Sequence, residues 1–127
     1  RGFRDYQLLR QYCNTVLQGV EVDSIVSGMA YGADTLGIKY AMEMGYKVDE
    51  FPARWDVEGM GAGYARNKRM ARYADILIAF WDGQSRGTKH MCQTALEMGL
   101  TVHCCRYLDE KWRGEKLGEK IIQNAFP

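Results

Sequence analysis

The spacing of apolar residues switches repeatedly between a helical and a strand period along this chain. Tyr6 to Leu17 carries Leu9, Tyr12, Cys13, Val16 and Leu17 at helical spacing; Asp5 is placed to cap its start and Gly19 to end it. Ser24-Ile25-Val26-Ser27 reads as a short strand. A helix is predicted from about Ala33 to Met44, closed by Gly45, then a strand from Tyr46 to Phe51, stopped by Pro52. Tyr64 to Tyr73 predicts a helix with Arg66, Arg69 and Arg72 on a basic face. Ala74 to Trp81 is a near-continuous apolar run, which predicts a strand buried on both faces of a parallel sheet. Thr88 to Met98 predicts a helix with one buried face, formed by Met91, Cys92, Ala95, Leu96 and Met98 and ended by Gly99. Thr101 to Leu108 is a final strand, Lys111 to Gly114 a turn, and Glu115 to Ala125 an amphipathic helix through Leu117, Ile121 and Ala125.

Helices and strands therefore alternate, which predicts an α/β fold in three layers. Right-handed crossovers would give a mainly parallel sheet with helices on both faces. Residues 1–127 form one domain. Such a sheet ordinarily opens with a strand, and none precedes Gly2, so a strand ahead of Arg1 is expected. Ligands bind such sheets at the carboxyl ends of the strands. Both glycine-bearing loops, Gly28 to Asp34 and Gly83 to Thr88, fall there.

Composition narrows the function classes. The chain has 46% hydrophobic residues and two prolines among 127 residues, which suits a folded domain. Its formal net charge is +1, so there is no electrostatic case for bulk nucleic-acid or membrane binding. No apolar run is long enough to span a bilayer and no secretory signal pattern is present. Cys13, Cys92, Cys104 and Cys105 form no C-x-x-C pair, so they read as reduced core thiols of a cytoplasmic protein, with Cys104 and Cys105 pointing to opposite faces of their strand. His90 and His103 lack neighbours that would complete a metal site, and neither a metal nor a cofactor is expected.

Candidate chemistry sits in the loops. Gly83, Ser85, Arg86, Gly87 and Thr88 suit a phosphate: glycines allow close backbone approach, the hydroxyls donate, and the following helix directs its positive end there. The spacing is neither a Walker A loop nor G-x-G-x-x-G. Gly28, Gly32 and Asp34 form a second candidate contact, with Asp34 able to accept from a ribose or simply to favour a helix first turn. Arg66 with Asn67 offers forked recognition of an anion, while Arg69 and Arg72 read as a solvated face. Trp55 and Trp81 are candidates for stacking on a base, against a core role for Trp81. Ala53 to Gly63 is expected to be irregular, either a flap or a surface loop. Asp5, Asp34, Asp56, Glu58 and Asp82 lie near loop ends, and their spacing singles out no acid–base pair.

Four blocks taken together resemble a known family. They are Gly2-Phe3-Arg4-Asp5-Tyr6, Ser27 to Asp34, Gly61 to Met70 (with Arg66-Asn67-x-x-Met70), and Ala74-Asp75 through Gly87-Thr88. They resemble the YspA/cpYpsA-related branch of the SLOG (SMF/DprA-LOG) superfamily, over residues 2 to about 102. The resemblance implies a Rossmann-like fold, a nucleotide or nucleotide-derived ligand, and a dimer. It adds Gly2 and Arg4 to the ligand-binding set. The superfamily includes phosphoribohydrolases that release a base from a nucleoside 5′-monophosphate, using an Arg at the position of Arg66 and a Glu two residues after the Gly-Thr. Here that second position is His90. The glycine loop differs too, with Met29 and Tyr31 where the family carries Gly and Arg.

The reading is a domain that binds a nucleotide-derived small molecule as sensor, carrier or sequestering protein. Alternatives are an N-glycosidic hydrolase of nucleoside 5′-monophosphates, relying on Arg66 and Asp34, and a protein-interaction module without ligand. Single-stranded DNA binding, as in DprA relatives, is weighed against the near-neutral charge.

Overall fold

The computed structural model describes residues 2–108; the expected turn at Lys111 and helix from Glu115 lie outside them. The order is α1 (Tyr6–Val16), β1 (Ser24–Ser27), α2 (Ala33–Met44), β2 (Lys47–Glu50), α3 (Trp55–Glu58), α4 (Ala62–Tyr73), β3 (Ile76–Trp81), α5 (Arg86–Glu97) and β4 (Thr101–Arg106), with a 3₁₀ turn at Gly59–Gly61 joining α3 to α4. The protein is mixed α/β, and among the described residues every strand pairing is parallel.

Local signals set most element ends. The Asp5 carboxylate accepts from the Leu8 N–H at 3.0 Å and caps α1. α1 buries Leu8, Leu9, Tyr12 and Cys13, one stripe of its surface. The Ser85 side chain accepts from the Thr88 N–H and caps α5, which begins two residues before its expected start. Arg86 and Gly87 therefore belong to the helix and not to the loop.

Among the described residues the strands form two separate pairs: Ser24–Ser27 lies against Lys47–Glu50, and Ile76–Trp81 against Thr101–Arg106. Phe80 of β3 stacks on Phe3 with centroids 4.7 Å apart and meets the edge of Tyr12 at 5.4 Å, a cluster that also takes in Leu9, Tyr40 and Cys105. On the other face Trp81, Ala79, Cys92 and Cys104 pack together. Cys104 and Cys105 thus face opposite ways, as a strand requires. Ile76, Leu77 and Ile78 are only half-buried, against the expectation of a strand covered on both faces. The cause is a cavity of about 460 Å³ that these residues line.

All four cysteines are buried, and none is in a disulfide. Burial pushes the Cys13 thiol up to about 12. A water-soluble disulfide reagent is expected to label no thiol in the native protein and all four after unfolding, read by the colour of the released chromophore.

Ala53 to Gly63 is mostly helical, not irregular. Arg69 of α4 pairs with Glu58 at 3.2 Å and fastens α3 in place, so Arg69 is not the solvated cation expected. Arg72 is exposed, as expected. Among the described residues no helix is long and apolar enough to cross a membrane.

Candidate functional site

The loop after β1 and the start of α5 are joined by two side chains of α4. Arg66 donates through Nη1 to the Gly28 carbonyl at 2.5 Å and through Nε to Asn67 Oδ1 at 3.1 Å. Buried Asn67 donates through Nδ2 to the Gly87 carbonyl at 3.3 Å and faces His90 Nδ1 at 3.1 Å. An amide nitrogen only donates, so His90 Nδ1 accepts and the ring proton stays on Nε2, 3.5 Å from Thr94 Oγ1. His90 also stacks on Tyr64, centroids 4.1 Å apart. Burial, then the Lys68 charge, hold its pKa below the ordinary value and favour the neutral ring.

A side chain at Gly28 would have to displace the ends of two others. A Cβ on it would stand 2.7 Å from Arg66 Nη1 and 2.9 Å from Asp34 Oδ2. The cation and the carboxylate therefore flank one stretch of backbone. Asp34 Oδ2 accepts from the Ala30 N–H at 3.2 Å, and the next residue back, Met29, has a left-handed φ of 64°. That conformation is uncommon for a side chain with a Cβ. Ser27 holds the loop from inside, accepting from the Met29 N–H and donating to the Asp34 carbonyl, each at 3.2 Å.

Burial raises the Asp34 carboxyl above its ordinary 3.8, with the Ala30 N–H and the Arg66 charge opposing. The folded protein therefore favours protonated Asp34. Its contribution to stability is full below the ordinary carboxylate range and is lost as pH rises through the raised value. Between pH 3 and 7 the stability of the protein is expected to fall relative to that of Asp34→Asn, measured by urea unfolding at stepped pH. A gap between the two proteins that does not change with pH would refute this.

The second loop departs from expectation. The Asp82 carboxylate accepts from the Gln84 and Ser85 N–H groups at 2.8 and 2.7 Å, and those two bonds keep its pKa low. Ser85 Oγ and Thr88 Oγ1 bond each other at 3.3 Å. Gly83 has φ 88°, and a Cβ there would stand 2.6 Å from Arg106 Nη2. So Asp82 engages the N–H groups of Gln84 and Ser85, and Ser85 and Thr88 bond each other. The Arg86 and Gly87 N–H groups make no bond among the described residues. Arg106, at the end of β4, was not singled out from the sequence. Its only sequence signal is register: it pairs with Trp81 at the strand ends, and its guanidinium lies 5.4 Å from the Trp81 ring.

The structure thus gathers Gly28, Asp34, Arg66, Asn67 and Gly87, with His90 beneath them. Gly32 opens α2 at the loop's far end, and Gly83, Ser85 and Thr88 form the adjoining turn. Gly2, Arg4 and Arg86 are exposed. Trp81 is buried and donates through Nε1 to the Ser85 carbonyl at 3.1 Å, so it offers no stacking face. Trp55 does: the residue is 62% exposed, and its indole and Arg66 Nη2 both border Gly63.

No family model and no solved structure matches the chain. It is 37% identical over 84 residues to the Gene 61 protein of Mycobacterium phage D29, a match that covers 61% of this chain and 67% of that protein. The chain belongs to the family of that phage protein.

Proposed function

We propose that the chain is a SLOG-type domain of Rossmann-like, three-layer architecture that binds a nucleotide-derived small molecule. The observation that carries this is the Arg66 guanidinium, which bonds to the Gly28 loop and, through Asn67, to the first turn of α5. The phosphate would sit between Arg66 and the open N–H groups of Arg86 and Gly87, at the positive end of α5. The base would lie on Trp55 and the ribose toward Asp34. The exposed apolar side chains of Trp55, Val57 and Met60 beside this cleft suit the dimer expected of the superfamily.

The test is a melting panel with AMP, ADP-ribose and cyclic dinucleotides, together with mass spectrometry of small molecules released on denaturation. A true ligand at a hundred times its dissociation constant stabilises by about 2.7 kcal/mol. A flat panel with nothing released would remove this reading.

A phosphoribohydrolase is the second reading, favoured by the desolvated Asp34 carboxyl beside Arg66. His90 does not replace the missing glutamate, because its Nδ1 accepts from Asn67 and its Nε2 faces Thr94. Free base appearing from a nucleoside monophosphate would establish this activity.

A further inference from the structure

Asn67 is a buried amide with every polar position engaged. Its Oδ1 accepts from Arg66 Nε at 3.1 Å, and its Nδ2 donates to the Gly87 carbonyl at 3.3 Å and to His90 Nδ1 at 3.1 Å. An amide nitrogen has two protons and the oxygen faces a cation, so the group has only this one orientation with all three partners satisfied. Arg66 in turn reaches the Gly28 carbonyl. The orientation of Asn67 therefore ties the loop after β1, through α4, to the first turn of α5.

His90 is the titratable member of this network. Its ring lies 13° from parallel to Tyr64, and its Nε2 faces buried Thr94, so the imidazole is held in its plane. In that plane Nδ1 has to stay bare. A proton on it would set a donor against the Asn67 donor. Two ways out exist: the amide turns over, or the ring leaves Tyr64 and Thr94. Turning the amide breaks its bonds to Arg66 and Gly87; losing the ring leaves an Asn67 proton unpaired in a buried place. The groups facing the ring are Tyr64 and Lys68 of α4 and Glu97 of its own helix, with the Arg66 guanidinium behind Asn67. Burial and Lys68 oppose a second ring proton, and Glu97 favours one.

We propose that neutral His90 is a positioning residue: its bare Nδ1 locks Asn67, and through Asn67 it holds Arg66 and the first turn of α5 ready for an anion, while a proton on the ring undoes that lock and weakens binding. The charge gained on the ring would itself attract a phosphate. That attraction acts across Asn67 and is screened by solvent and salt, whereas the lock is a set of short hydrogen bonds to a buried group, whose loss costs more.

Nitrogen-resolved NMR of the protein without nucleotide tests the lock directly. At pH 7.5 the His90 ring is expected to carry its proton on Nε2. On acidification the Asn67 side-chain amide and Arg66 Nε signals should move with the midpoint of the ring. His90→Asn sets an amide oxygen where Nδ1 stands and does not titrate, so that phase should vanish while the neutral-pH signals stay. His90→Leu offers no acceptor and should show the loosened signals at every pH. AMP then reads the effect on binding, an arm that rests on the function proposed above. Below the midpoint of the ring, affinity should fall relative to His90→Asn by up to about tenfold per pH unit; the titrations of the phosphate and of Asp34 are common to both proteins. Should neither protein bind AMP, the nucleotide reading fails for AMP and the NMR result decides on His90. A ring proton on Nδ1 at pH 7.5, Asn67 and Arg66 signals that ignore the ring, His90→Leu indistinguishable from His90→Asn, or equal pH slopes for AMP would each overturn the proposal.

Discussion

Arg66→Ala is expected to weaken ligand binding about 10–100-fold, the worth of a charge-assisted hydrogen bond. The change removes the cation and also two internal bonds, to Gly28 and Asn67. Arg66→Lys separates these effects. It keeps the charge but cannot span both partners with one planar fork. If geometry matters as proposed, lysine recovers only a small part of the affinity, read by calorimetry with whichever nucleotide the melting panel selects. Full recovery by lysine would reduce Arg66 to a point charge. If base release is observed, Arg66→Ala must abolish it; release that persists would place the chemistry elsewhere.

Phe80→Ala should cost about 3–5 kcal/mol, as for other buried aromatic truncations. Phe80 is 6% exposed and contacts Phe3 and Tyr12 directly. A domain of this size has about 5–15 kcal/mol in total, so the variant should melt roughly 10–15 °C lower or fail to accumulate. The loss should exceed that of Met60→Ala by several-fold in urea unfolding, because Met60 is fully exposed. Comparable losses at the two positions would show that the Phe3–Phe80–Tyr12 cluster is not the centre of the core.

Local signals were legible and distant ones were not. The bounds of β1 and α2, the Asp5 cap and the opposite facing of Cys104 and Cys105 follow from residues within one or two turns of each position. The early start of α5 was missed because Ser85 caps the helix while Asp82 organises the turn before it, a division of work between two residues that each look like loop formers. Helix at Trp55–Glu58 was missed because three glycines flank it, and the stabilising ion pair comes from Arg69 eleven residues on. For the candidate site, Gly28, Asp34, Arg66, Asn67 and Gly87 each stood out locally. Their convergence did not, since it depends on how α4 packs across the strand ends. Arg106 had no local signature at all. The separation of the strands into two pairs could not be read from the alternation of elements, which is identical whether four strands form one sheet or two.

That separation bears on how the chain folds. Ser24 meets Lys47, and Ile76 meets Thr101, so each pair closes over a short stretch of sequence containing its own crossover helix. Loop-closure entropy grows only with the logarithm of length, and the two loops are of similar size. The two halves can therefore nucleate independently and at similar speed, and no long-range pairing between them delays either. The Phe3–Phe80–Tyr12 cluster then joins the two halves in one core.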